Sequence, residues 1–208
     1  MSAPTLTKFM DDLASAEPTP GGGGAAAAMG SMGVALLSMV ARLTLGKKGY
    51  EGVTEEMQRQ LDESEALRVR LFELVDLDAQ VFNQLMAAYR LPKENDDQKA
   101  TRSEAIQSGL QEATRVPLTC AEACAAGIRL AARSAEIGNR NVISDTGAGV
   151  LALLAALRAS ALNVSINVPS IKNGDFAEMA RSRTASLMEE CLPLAEAVHE
   201  RVKARMQE

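Results

Sequence analysis

At 208 residues and ~150 residues per domain, the chain is long enough for one domain or two small ones. Its 47% hydrophobic and 24% charged residues fit a soluble globular protein. Aromatic residues make up only 3% while alanine occurs 35 times, which argues against a β-sandwich or barrel and for an all-α fold built on small side chains. A net charge of −5 without a dense Lys/Arg block argues against nucleic acid as a partner.

The single histidine, His199, counts against His-based zinc sites and Ser-His-Asp triads. Cys120, Cys124 and Cys191 are too few for a disulfide framework and read as small core residues of a reduced, cytoplasmic protein. Residues 1–8 lack the apolar region of a signal peptide.

In chain order, a short helix is expected over residues 4–15, broken by Pro18-Thr19-Pro20. The run from Pro18 to Ala41 carries no charge. Its apolar part is long enough for a membrane span, but its Gly- and Ala-rich first half has little drive to enter lipid. We read it as a buried helix over residues 23–45 that stops at Gly46, followed by a loop at residues 47–50. Met57, Leu61, Leu67, Leu71, Leu74, Val75, Phe82, Leu85 and Tyr89 mark a long helix over residues 54–90. The next helix is capped by Asn95 or Asp96, bends at Pro117 and ends at Gly138. Ser144 or Asp145 caps an apolar helix over residues 146–161. Residues 163–168 alternate like a strand but have no partner strand, so they read as helix or linker, and a last helix covers residues 170–206. The expected architecture is a single domain over residues 1–208, a bundle of six or seven helices with two strongly apolar ones inside.

Five features carry possible chemistry. Pro20-Gly21-Gly22-Gly23-Gly24 enters a helix, where exposed backbone N–H groups favour an anion, or where glycines simply permit close packing. Lys47 and Lys48 sit at that helix's far end, either as cations favoured there or as substrate contacts. Asp78 falls on an apolar stripe, so it is either paired or has a raised pKa suited to acid–base work. Asn139, Asn141, Ser144 and Asp145 form one polar cluster; Asn163 and Asn167, i and i+4, form another that needs partners from the protein or a ligand.

Taken together, several segments resemble the cyclodeaminase/cyclohydrolase family of folate enzymes, which includes the C-terminal half of formiminotransferase-cyclodeaminase. They are Leu13-Ala14-Ser15 with Pro18-Thr19-Pro20-Gly21-Gly22-Gly23, Leu43-Thr44-Leu45-Gly46-Lys47-Lys48-Gly49-Tyr50, Ala88-Tyr89-Arg90-Leu91-Pro92-Lys93, Gly138-Asn139-Arg140-Asn141-Val142-Ile143-Ser144-Asp145, and Leu162-Asn163-Val164-Ser165-Ile166-Asn167. The likeness spans residues 10–176; Gly24 and Gly147-Ala148-Gly149 depart from the family's usual pattern.

The resemblance implies an all-α homodimer that acts on a tetrahydrofolate substrate with neither metal nor cofactor, nucleic acid nor membrane. It implies a 5,10-methenyltetrahydrofolate cyclohydrolase or a formiminotetrahydrofolate cyclodeaminase. A chain of 208 residues leaves no room for a formiminotransferase half, which tilts the expectation to the cyclohydrolase. Asp145 and Asp78 are the expected proton carriers, and Lys48 a donor or electrostatic stabiliser. Pro20, Gly21, Gly22, Gly23, Tyr50, Asn139, Asn141, Ser144 and Asn163 are expected to bind substrate, with Lys47 and Arg140 on the glutamate tail. A non-catalytic helical interaction protein and a membrane-associated helical protein are the competing readings.

Overall fold

A computed structural model describes residues 5–207, all-helical and without strand. Six helices run α1 (Leu6–Leu13), α2 (Gly22–Thr44), α3 (Thr54–Tyr89), α4 (Asp96–Ile137), α5 (Ile143–Asn167) and α6 (Gly174–Gln207), with single 3-10 turns before α3, before α5 and after α5. The expected start of the first helix at residue 4, and part of the 1–8 segment, lie outside the described residues.

Cross-helix contacts fix the topology. α2 and α3 are antiparallel, since Gly24 pairs with Asp78 and Arg42 with Glu65. α4 and α5 are antiparallel, since Ser134 meets Thr146 and Asn167 meets Ala113. α4 and α6 are parallel, tied on the surface by Glu122–Arg183, Arg129–Glu190 and Glu136–Arg201. Such exposed pairs contribute ~0–1 kcal/mol each, so they set register more than stability. The result is an up-down bundle, with α1 laid outside α2 and α3.

The core follows from the composition. No aromatic side chain is buried among the described residues; the largest fully buried ones are Leu, Met, Ile and Val. Small residues let helices meet at their backbones. At the α2–α5 crossing, a Cβ on Gly33 would lie 2.8 Å from the Gly149 carbonyl oxygen, and one on Gly149 would lie 2.9 Å from that of Gly33. Cys120, Cys124 and Cys191 are buried and unpaired, as expected of core residues.

Boundaries differ from expectation in two places. α5 begins at Ile143 and runs to Asn167, because Ser144 and Asp145 lie in its first turn rather than capping it, and the alternating 163–168 stretch extends the helix. Pro117 lies inside α4, which continues through it as expected. Gly138 ends α4 with extended backbone (φ −68°, ψ 158°), not the left-handed turn of a typical C-terminal glycine. The left-handed glycines are Gly46 (φ 70°) and Gly49 (φ 90°), which shape the loop after α2.

By length and composition, two helical stretches, Gly22–Thr44 and Arg140–Ser170, are long and apolar enough to cross a membrane. α2 packs on α3, α4 and α5. α5 is less enclosed: Leu162 and Ile166 are 71% and 75% exposed.

The crossing gives a stability prediction. Gly33→Ala drives a methyl into backbone and should cost about 1–3 kcal/mol, whereas Gly174→Ala, where a Cβ meets nothing within 4 Å, should be near neutral. Urea unfolding of both variants checks this.

Candidate active site

The glycine entry, Asp78 and Asn163 come together in one cleft of about 410 Å³. Pro18, Thr19 and Gly21–Gly23 form one wall, α3 supplies Asp78, Phe82 and Tyr89, and α5 supplies Asn163, Ile166 and Asn167. The Thr19–Pro20 peptide is cis. The bare glycines are required: a Cβ on Gly23 would fall 2.1 Å from Asp78 Oδ1. Pro20 stands behind this wall, 3.7 Å from where a Gly24 Cβ would be.

Asp78 joins α3 to α2. Its Oδ2 accepts a hydrogen bond from the Gly24 N–H at 2.9 Å, in the first turn of α2, where a carboxylate is favoured. Its Oδ1 accepts none among the described residues. Burial pushes the carboxyl above its ordinary range, and the Gly24 N–H opposes part of that shift. Both sequence readings of Asp78 apply: it is paired, by the Gly24 N–H and not by a Lys or Arg among the described residues, and its pKa is raised.

Asn163 donates its amide N–H to the Ala159 carbonyl at 2.8 Å, and its Nδ2 and Oδ1 lie 3.7 and 3.9 Å from where a Gly22 Cβ would sit. Asn167 donates to the Ala113 carbonyl at 2.9 Å and fixes the cleft floor to α4. Phe82 and Tyr89 line the cleft although sequence reasoning gave them no site role, and Asn167, one of the two amides read as needing a partner, lines it with them. Their membership in motifs or on the α3 stripe was visible, but nothing in the spacing separated them from core.

The remaining expected residues gather elsewhere. α2 is about 33 Å long at roughly 1.5 Å per residue, and the second group lies at its other end. There Tyr50, Arg140, Asn141, Ser144 and Arg205 line a separate cavity of about 410 Å³. The Arg140 N–H donates to the Tyr50 hydroxyl at 3.0 Å. Arg205, 7% exposed, donates to the Ala135 and Gly138 carbonyls and supports the loop from below. Lys47 and Lys48 lie in the loop after α2, and Asp145 is half-buried in the first turn of α5. Within one chain, Lys48 and Asp145 therefore do not reach the Asp78 cleft.

Asn139 is held by the protein itself. Expected on a ligand, it is 4% exposed, with its amide N–H on the Leu43 carbonyl (2.7 Å), its Oδ1 on the Asn141 N–H (3.0 Å) and its backbone N–H on Thr44 Oγ1 (2.9 Å). It ties the 139–142 turn to the end of α2. Among the described residues, no three His, Cys, Asp or Glu side chains cluster as a metal site requires.

The raised carboxyl makes a signed prediction. Its folded value exceeds the unfolded 3.8, so the uncharged acid's contribution is complete below about pH 4 and is lost as pH rises through the folded value. Asp78→Asn, uncharged throughout, should gain stability relative to wild type as pH rises above about 4 in urea unfolding. A difference that does not change with pH would show that burial does not hold this carboxyl up.

Comparison with known proteins matches this arrangement. The profile of the formiminotransferase-cyclodeaminase family matches residues 5–186. The chain is 46% identical over 202 residues to the methenyltetrahydrofolate cyclohydrolase of Methylorubrum extorquens, covering 97% of each. It is 34% identical over 200 residues to the formimidoyltransferase-cyclodeaminase of Sus scrofa, covering 96% of this chain but only 37% of that one. The crystal structure of the Thermotoga maritima formiminotetrahydrofolate cyclodeaminase superposes with a TM-score of 0.81 at 32% identity, over 98% of this chain and 96% of that one. The match over most of the chain, the full-length identity and the shared helical fold show that the chain belongs to the formiminotransferase-cyclodeaminase family.

Proposed function

We propose that the protein is a 5,10-methenyltetrahydrofolate cyclohydrolase, acting as a cytoplasmic homodimer of one helical domain over residues 1–208. The observation that carries this reading is Asp78: a half-buried carboxylate with one oxygen unpartnered, facing a cleft walled by bare glycine backbone and the Asn163 amide. The 46% identity to a cyclohydrolase over the full chain supports the same choice of reaction.

The chemistry asks for little beyond such a site. Water adds to the methenyl carbon between N5 and N10 and gives up a proton. The tetrahedral carbon collapses: the bond to N5 breaks, N5 takes up a proton, the new hydroxyl gives up its proton to become the formyl oxygen, and 10-formyltetrahydrofolate leaves with one net proton released. No electron is transferred. Asp78, with its carboxyl raised toward the working pH, accepts the proton of the attacking water and returns one to N5. Asn163 Oδ1 and the backbone of Gly21–Gly23 hydrogen-bond the pterin edge. Phe82 and Tyr89 give it an apolar wall. The substrate brings its own reactive nitrogens, which suits a chain whose single histidine lies near the far end of α6.

One observation favours a second reading: the Thermotoga maritima structure that superposes is named a cyclodeaminase. Closure of 5-formiminotetrahydrofolate with loss of ammonia passes through a similar tetrahedral carbon, and the same groups would serve it.

Purified protein should accelerate the decay of methenyltetrahydrofolate absorbance, and ammonia release from the formimino substrate should be the slower reaction. Asp78→Asn should lower cyclohydrolase turnover by about 10²–10⁴-fold, the usual weight of a general acid–base group. Ammonia release faster than cyclohydrolysis would favour the deaminase, and no turnover of either substrate would leave a helical interaction protein.

A further inference from the structure

The cleft has an inner and an outer end. Asp78 and Asn163 stand at the inner end, beside the glycine wall. From there α3 and α5 run on in the same direction. Tyr89 lies three turns further along α3, about 16 Å at roughly 1.5 Å per residue, and Ser170 lies just past the end of α5. Tyr89 and Ser170 both line the cleft, so they are the two lips of its outer end.

Neither lip is held by its own element. Tyr89 is the last residue of α3 and Ser170 the last of the 3-10 turn after α5, positions where backbone carbonyls lose their helical partners. One stretch of α4, within its first turns, supplies partners to both. Arg102 donates from Nε and Nη2 to the Tyr89 carbonyl at 3.3 and 3.1 Å, with its guanidinium 5.9 Å from the centre of the ring. Gln107 donates its amide N–H to the Ser170 carbonyl at 3.0 Å, and its Oε1 accepts the Lys172 N–H at 2.7 Å. Lys172 Nζ in turn reaches Ser103 Oγ at 3.0 Å.

These are unusual duties for half-buried polar side chains, which can bond to water instead. Arg102 and Gln107 direct their polar atoms at backbone of a different element, and in both cases at the residue that edges the cleft. Between them, Ile106 packs into the small core that also holds Leu85, Val168 and Ile171, so the stretch is fixed from beneath. Helix is stiff over such a short span, so the places of Arg102 and Gln107 on α4 set the separation of the lips.

We propose that Arg102 and Gln107 are positioning residues for the folate, and that α4 fixes the width of the cleft mouth through them by holding Tyr89 on one side and Ser170 on the other. Neither α4 side chain touches the substrate; both act through the lip that they hold. The inference rests on the cyclohydrolase reading above and adds to it residues outside the cleft lining.

A loosened mouth weakens the hold on substrate and transition state alike, so its mark is on KM and not on turnover. Gln107→Ala and Arg102→Ala should each raise KM for methenyltetrahydrofolate about 3–10-fold, the weight of one or two hydrogen bonds, and leave kcat within about twofold of wild type. The same increases are expected with methenyltetrahydropteroate, which lacks the glutamate. An increase that vanishes on that substrate makes the two residues direct contacts of the glutamate tail and overturns the proposal. So does a KM that stays at the wild-type value, whether or not kcat or stability falls.

Hydrogen–deuterium exchange of the ligand-free chains reads the clamp without any activity. Gln107→Ala should speed exchange in residues 168–172, where the Lys172 N–H loses its acceptor, and leave residues 18–24 at wild-type rates. Unchanged exchange in 168–172 overturns the clamp, whatever the substrate. Faster exchange there, in a protein whose wild type neither turns over methenyltetrahydrofolate nor binds 5-formyltetrahydrofolate, overturns the proposal through the cyclohydrolase reading and leaves the clamp standing, so the two failures are told apart.

Discussion

The backbone contact between α2 and α5 at Gly33 and Gly149 is the constraint on which the rest depends. With either glycine enlarged, the two most apolar helices cannot cross at this distance. Their closeness fixes the antiparallel register that brings Gly22 beside Asn163 at one end and Leu43 beside Asn139 at the other. It also explains the composition. A core whose helices touch at the backbone has room for alanine, serine and cysteine but not for rings, and the aromatic side chains are left at surfaces and cleft walls.

From that register the site follows. Asp78 reaches the first turn of α2 because α3 returns alongside it, and the glycines there have no Cβ to block the carboxylate. The N–H of Gly24 holds one oxygen and favours the charge, while burial disfavours it more. The balance leaves an acid with a raised pKa in a cleft, a state useful for moving protons without histidine.

Much of this was legible in the sequence. The helices could be read from periodicity, and the long charge-free run was rightly taken as a core helix. Asp78 stood out because a carboxylate on an apolar stripe demands an explanation. What spacing could not give was distance along the bundle. Motifs that follow one another in the chain, such as 18–24 and 43–50, occupy opposite ends of one helix, and only the length of α2 reveals it. Ser144 and Asp145 were misplaced as caps because Val142, which has no capping side chain, precedes the helix. Asn139 looked like a ligand contact because a buried amide shows in the sequence only as an asparagine, and not by the carbonyl it holds. The strand-like alternation at 163–168 gave way to helix because no other strand exists to pair with it among the described residues.

The central claim is that the cleft between the glycine entry, α3 and the end of α5 receives the folate. Hydrogen–deuterium exchange with and without saturating 5-formyltetrahydrofolate, a stable relative of the product, tests it most directly. The account predicts slowed exchange at residues 18–24, including the Gly24 amide held by Asp78, and at residues 78–89 and 163–170. Unchanged exchange in these segments, with the folate demonstrably bound, would contradict it.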